Sequence, residues 1–411
     1  MTLAKDETVC LLDSSGVGHL GSHLLIAGIR PVEIIELAHL QLDNTLAKLD
    51  ELVHGDLATV FTISYDFGRR LQSINERHST EPDVFAARFD CLVVHDYLSG
   101  KTFFTGNSDS FESFEKRLRK AIYKPTLKQA EMRPSATLSN FTRAEYIDAV
   151  EKIKEYIRAG DTYQTNLTQK LTVQTTKSPE QVFIDLRRDH PAPFAAFIKR
   201  PSSTVISASP ERFFKIGEGI VTASPIKGTR RRGKDTSEDA ALRKELLASE
   251  KDRAENTMIV DLMRNDLGRV CEYGSVEVEK LCDLEEHPTL FHLVSTIQGT
   301  LRRNTKFSEI IKATFPCGSI TGAPKIRTME IIDRLEPNSR GLSMGAIGVY
   351  VPNRIFKEGR LGPNFENWGL DIGLELSVAI RTMTMRDGEA SFNVGGGVTI
   401  DSDPQSEYDE S

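Results

Sequence analysis

A lysine stands in Pro225-Ile226-Lys227-Gly228-Thr229, where an apolar strand end opens into a glycine turn. Glu211 precedes it in Ser209-Pro210-Glu211-Arg212, and acid pairs follow at Asp252/Glu255 and Glu407/Glu410. Together these residue types suit one chemistry: an amine nucleophile, a general acid, and carboxylates for a hard metal. Each also has a plainer reading. A lysine in such a turn is ordinarily a solvated charge, and adjacent Glu and Arg are ordinarily a surface ion pair. Carboxylates three residues apart share a helix face, ordinarily one that water covers. To attack, a lysine must be neutral, yet a free one titrates near ~10.4. Arg230, Arg231 and Arg232 would favour the neutral amine by like-charge repulsion. Glu211 would need burial to lift its pKa toward neutrality.

Other residues suit an anionic small molecule. Gly395-Gly396-Gly397 follows a strand expected over 390–394. No phosphate-loop pattern Gly-x-x-x-x-Gly-Lys-Ser/Thr accompanies it, so its N–H groups suit a carboxylate better. Thr321 and the start of a helix expected over 324–335 could add donors. Arg381 could hold a carboxylate bidentately, and Tyr350 could hydrogen-bond to one. His292 is either a site residue or a core histidine.

The elements that must carry these groups read as α+β. Apolar or alternating runs near 8–14, 58–65, 84–97, 164–172, 204–208, 213–224, 274–282, 345–351, 373–385 and 390–394 predict strands. Helices are expected over 110–122, 179–188, 237–266, 307–314 and 324–335, and one opens at Thr142 with the capping pair Thr142/Glu145. The 237–266 helix carries Asp252 and Glu255, and Asp403-Pro404 starts another carrying Glu407 and Glu410. Residues 124–140 are polar, hold two prolines and read as a linker. It divides an N-terminal lobe, 1–140, from a catalytic region, 141–411.

Composition excludes several classes. With 411 residues, 39% hydrophobic and 27% charged, the chain suits a globular protein with one large core or two packed lobes. A net charge of −7 argues against a nucleic-acid groove and gives no case for a membrane. The start, with Asp6 and Glu7, does not read as a signal peptide, and no apolar run approaches ~20 residues. Five scattered cysteines fit reduced thiols, so a cytoplasmic location is expected.

The segments Gly160–Leu167, Ser209–Arg212, Pro225–Thr229, Asp252–Asn256, Gly318-Ser319-Ile320-Thr321-Gly322-Ala323-Pro324-Lys325, Ala379–Thr382 and Gly395–Gly397 occur in one order. In that order they resemble the chorismate-utilising enzymes, from Thr142 to the C-terminus. This family includes the anthranilate, aminodeoxychorismate, isochorismate and salicylate synthases. The resemblance implies two large sheets packed as a sandwich with helices outside, chorismate as substrate and Mg2+ as cofactor. It implies metal ligation at Glu255 and Glu410, with Asp252 and Glu407 nearby, and makes Glu211 the acid that protonates the departing C4 hydroxyl. The counterpart of His292 lies in the family's active site.

The position of Lys227 separates the branches, being typically alanine in the others and lysine in the aminodeoxychorismate branch. A lysine there can add to C2 as the C4 hydroxyl leaves, and ammonia then adds at C4 and expels it. Gln164 stands where the water-using branches carry a lysine base, which disfavours them. Ammonia would come from a separate glutamine amidotransferase, since no cysteine here has that enzyme's Gly-x-Cys-x-Gly context. The alternatives are anthranilate synthesis and a catalytically weak amidotransferase-binding subunit.

Leu11-Leu12-Asp13-Ser14 resembles the family's Leu-Leu-Glu-Ser tryptophan element, with Asp for Glu, and reads first as a capped core strand. Two departures stand out. Residues 353–372, with the single tryptophan Trp368, lengthen a hairpin connection beyond the usual range. The chain ends at Ser411, where the family continues through a helix supplying a lysine to substrate; weakened metal and substrate binding are expected.

Overall fold

The computed structural model describes residues 1–17, 23–38, 41–75, 77, 79–121, 136–287, 290–352 and 373–411. Among them run two antiparallel sheets of 11 and 10 strands. The larger is built around Val9–Asp13, Phe194–Lys199, Thr204–Ser209, Gln164–Gln174 and Glu389–Val398. The smaller is built around Ala58–Ile63, Val84–Phe89, Arg212–Gly217, Ile226–Arg231 and Leu290–Thr300. Both draw strands from either side of residue 140.

Strand alternation decides which residues meet between the sheets. Cys10, Ile198 and Val205 of the larger sheet pack with Val60, Ala87 and Val349 of the smaller one. Their neighbours point outward and are also covered. Val9, Phe197 and Ile206 pack with Phe114 and Phe183 of the helices Phe111–Lys120 and Pro179–Asp189. Phe61 and Ala86 pack with Leu49 of Leu42–Leu52, Ile259 of Glu250–Gly268 and Ile311 of Phe307–Thr314. The result is an α+β sandwich of helix, sheet, sheet and helix. Strands buried on both faces read as continuous apolar runs, not as alternation.

Several expected elements divide. The run 84–97 is two strands, Val84–Phe89 and Cys91–Asp96, and 213–224 is the hairpin Arg212–Gly217 and Ile220–Ser224. The helix expected over 237–266 is two, Thr236–Ala248 and Glu250–Gly268, broken at Ser249, whose side chain caps the second by accepting from the Asp252 N–H. The triglycine does not follow a strand; it lies inside Glu389–Val398, paired with Gln164–Gln174. Strands such as Leu24–Ile29 and Phe194–Lys199 lack a clear period-two signal because both faces are covered.

The helix Arg143–Arg158 starts at the expected capping box of Thr142 and Glu145. No helix among the described residues is long and apolar enough to cross a membrane. The 353–372 segment with Trp368, and 124–135 of the expected linker, lie outside the described residues.

Candidate active site

Pro210-Glu211 is where the chain leaves the larger sheet, after Thr204–Ser209, and enters the smaller one at Arg212. That crossing puts Glu211 inside the sandwich, 3% exposed. The surface ion pair with Arg212 does not form; Arg212 pairs with Glu375 at 2.7 Å. Burial pushes the Glu211 carboxyl up to about 7, against the opposing pull of the Ser319 hydroxyl, the Lys227 charge and the Ile226 N–H. One of its oxygens, Oε1, has no hydrogen-bond partner.

Lys227 sits where the ladder between Ile226–Arg231 and Leu290–Thr300 slips register, between Ile226 and Thr229. Such a bulge re-aims a side chain. Gly228 completes it at φ 89°, with a would-be Cβ only 3.0 Å from Asp252 Cβ, so glycine is required there. The Lys227 amine donates to the Ser319 carbonyl at 3.1 Å. The positive field expected from its neighbours is cancelled. Arg230 pairs with Glu245 and Asp252, Arg231 with Glu238, and Arg232 with Asp239.

His292 lies directly opposite Thr229 on the adjoining strand, 2% exposed, with its Nδ1 2.9 Å from the Thr229 hydroxyl. The His287 ring meets it edge-on at 5.5 Å.

Asp252 and Glu255, on the first turns of Glu250–Gly268, find different partners. Asp252 takes the Arg230 guanidinium at 3.1 Å, and Glu255 takes the Gln164 side-chain N–H at 3.2 Å. Burial holds the Glu255 carboxyl above its usual range, with Lys227 and Lys251 opposing and Asp252 reinforcing the shift. Gln164 is 2% exposed and lies against the triglycine: a Cβ on Gly397 would fall 2.1 Å from its Nε2. A Cβ on Gly396 would sit 3.6 Å from Glu407 Oε2, which places Glu407 over the same strand.

Lys227 thus lies in the field of both Glu211 and Glu255, with His292 one strand away and Gln164 beside the triglycine. Glu410 is exposed at the end of helix Pro404–Glu410, which docks through Tyr408 on Tyr146 at 5.8 Å. No group of three or more His, Cys, Asp or Glu stands ready for a metal among the described residues. The donor set still suits Mg2+, which takes few protein oxygens: Glu255 is a carboxylate whose charged form burial disfavours and a cation would restore.

Arg381, in a turn at φ 49°, is exposed, and its carbonyl accepts the Ala208 N–H at 3.0 Å. The Thr321 hydroxyl is spent inside its own turn, donating to the Cys317 and Gly318 carbonyls at 3.0 and 3.3 Å. Tyr350 stands apart, its hydroxyl 3.5 Å from the Gly55 carbonyl, in a hollow with Val53, Ile216 and Phe307. Asp13 is also occupied: it accepts from Ser15 N at 2.7 Å, Tyr97 Oη at 2.8 Å and Arg187 Nε at 2.5 Å, which makes the Leu11–Ser14 element a capped strand end.

Two groups escaped the sequence reading. Ser319 was one letter of a motif, yet its carbonyl takes the Lys227 amine, and its hydroxyl lies 3.3 Å from Cys317 Sγ. Arg340 and Glu336, each 3% exposed, brace the floor. Arg340 donates to Ile320 O at 3.0 Å and Asn166 O at 2.6 Å, and Glu336 accepts from Thr168 N at 2.8 Å. Their spacing of four residues was the available signal.

The family profile described as chorismate binding enzyme matches residues 20–357 and 368–411. The chain is 36% identical to the aminodeoxychorismate synthase component 1 of Bacillus subtilis, over 85% of this chain and 73% of that one. It is 33% identical to an anthranilate synthase component 1 of Haloarcula marismortui, over 93% and 80% respectively. The crystal structure of anthranilate synthase component I from Streptococcus pneumoniae superposes with a TM-score of 0.80 at 27% identity, over 95% of this chain and 91% of that one.

Proposed function

Because the chain belongs to the family of chorismate-binding enzymes, we propose that it acts as an aminodeoxychorismate synthase component I, converting chorismate and ammonia to 4-amino-4-deoxychorismate. The observation that carries this reading is Lys227, a side-chain amine re-aimed by a bulge and coupled to the buried acid Glu211.

The neutral Lys227 amine forms a bond to C2 while the C4–O bond breaks, and Glu211 gives its proton to the leaving hydroxyl, which departs as water. Ammonia then forms the C4–N bond, and the bond from Lys227 to C2 breaks. A proton released from the added nitrogen returns to Glu211. The enolpyruvyl group is retained, so no pyruvate forms. A carboxyl with a pKa of about 7 is half protonated at neutral pH, as an acid used in both directions requires.

Arg381, exposed beside the Glu211 crossing, would hold a substrate carboxylate, and the Gly395–Gly397 backbone would approach the substrate closely. Mg2+ on Glu255 and Glu410 would neutralise substrate carboxylate charge. Ammonia would arrive from a glutamine amidotransferase subunit. The likeness to anthranilate synthase components supports a second reading, anthranilate formation.

The test is incubation of the purified chain with chorismate, Mg2+ and an ammonium salt, following product mass and pyruvate together. An aminated product that keeps its enolpyruvyl group, without pyruvate, is expected. Anthranilate with stoichiometric pyruvate would move the chain to the other branch.

A further inference from the structure

We propose that Asn166 is a substrate-binding residue, donating its side-chain N–H to an oxygen of the bound molecule. The inference rests on the reading above that this site takes chorismate. Asn166 is 8% exposed, and its Nδ2 is buried with no hydrogen-bond partner. A buried donor left unpaired costs stability, so it calls for a use.

Alternation along Gln164–Gln174 sets the direction of the side chain. Leu167 packs with Tyr146 and Val150 of the helix Arg143–Arg158, so Gln164, Asn166 and Thr168 share the opposite face. The outer two of that row are spent. Gln164 donates to Glu255 at 3.2 Å, and Thr168 donates to Glu336 at 2.9 Å and accepts from Asn393 at 3.1 Å. Asn166 stands between them. Directly across the ladder lies Gly397, which puts no side chain on that face, and the atoms nearest its would-be Cβ are those of Gln164. Gln164 Oε1 is itself buried and without a partner. The strand thus offers a free donor and a free acceptor on one face.

The backbone of Asn166, by contrast, is fully engaged. Its N–H donates to the Thr321 carbonyl at 2.8 Å, and its carbonyl accepts from Arg340 at 2.6 Å. These bonds seat it against the Cys317–Thr321 turn, whose Ser319 carbonyl takes the Lys227 amine at 3.1 Å. Asn166 therefore adjoins both the turn that holds the amine and the Gln164–Glu255 pair. A carboxylate oxygen is the acceptor that gains most from such a donor, because charge-assisted hydrogen bonds are the stronger ones.

Asn166→Leu tests this, since leucine keeps the size and removes the donor. Chorismate would be titrated calorimetrically, with Mg2+ and without ammonium salt, into the full native chain and into Lys227→Ala, where binding is read apart from turnover. Adding Asn166→Leu should weaken binding about tenfold or more, the scale of a hydrogen bond to a charged group. The urea-unfolding midpoint should stay level or rise, because an unpaired buried donor is gone. Asn166→Asp, of the same shape, exchanges the donor for a negative charge and should weaken binding further; it serves if the leucine variant does not fold. Undiminished affinity in either folded variant overturns the proposal for Asn166 alone. A native chain that binds no chorismate sinks the substrate reading, and the Asn166 proposal with it.

Discussion

Gln164 donates its side-chain N–H to the Glu255 carboxylate at 3.2 Å, while its amide lies where a Cβ on Gly397 would be, 2.1 Å from Nε2. One glutamine thereby ties a helix carboxylate to the triglycine strand. The three glycines are accordingly not equivalent.

Alanine substitutions should separate them. Gly395→Ala meets Leu167 O at 2.0 Å from a φ of 151° and should cost about 2 kcal/mol or more of stability. Gly397→Ala should displace Gln164 and raise the KM for chorismate with a smaller loss of stability. Gly396→Ala, with only Glu407 Oε2 at 3.6 Å, should fold like the native chain. Denaturant melts and steady-state kinetics on the three variants check the order.

Lys227→Ala should reduce amination by about 100-fold or more, since a nucleophile's loss is felt wholly in the transition state. Intact-mass spectrometry with chorismate and no ammonia should find a covalent adduct on the native chain and none on the variant. An adduct persisting in Lys227→Ala would place the nucleophile elsewhere.

Glu211 should make the fold less stable as pH rises. Its ordinary value is 4.5 and burial raises it to about 7, so the folded state binds the proton more tightly. The protonated state's advantage is fully present below the unfolded value and is lost as pH rises through the folded one. The difference of about 2.5 units corresponds to about 3 kcal/mol. Glu211→Gln has nothing to ionise, so its drop in urea-unfolding free energy between pH 4.5 and pH 8 should be smaller by about that amount.

Arg340→Met should destabilise the chain by about 3–5 kcal/mol, because it strands the buried Glu336 charge and frees two carbonyls, Ile320 O and Asn166 O. Adding Glu336→Gln should recover part of the loss. Equal melting of Arg340→Met and the native chain would show that the brace is dispensable.

Mg2+ should raise the native chain's melting temperature, and Glu255→Gln should abolish most of that rise. Isothermal titration of Mg2+ into both proteins, with chorismate present, measures the difference directly; equal affinities would remove Glu255 from the metal site.

The sequence by itself determined the motif order, the Thr142/Glu145 cap and, through the family resemblance those motifs carry, the candidates Lys227, Glu211 and Glu255. It could not tell a solvated Glu211 from a buried one, since burial arises from the crossing between sheets at Pro210-Glu211, which no local window records. Nor could it show that Arg230, Arg231 and Arg232 are each neutralised by partners 7 to 22 residues away along the chain. The break at Ser249 and the triglycine's place within a strand escaped it too, because a cap and a glycine-tolerant strand look like helix interior and loop when read locally. Tertiary structure alone brought Ser319 to Lys227 across 92 residues, since a backbone carbonyl has no signature in sequence. It also set Tyr350 apart, because its place in the ladder opposite Thr59 and Leu374 carries it to Gly55. Motif named the candidate groups; pairing between distant strands decided which of them meet, and burial raised the Glu211 and Glu255 carboxyls.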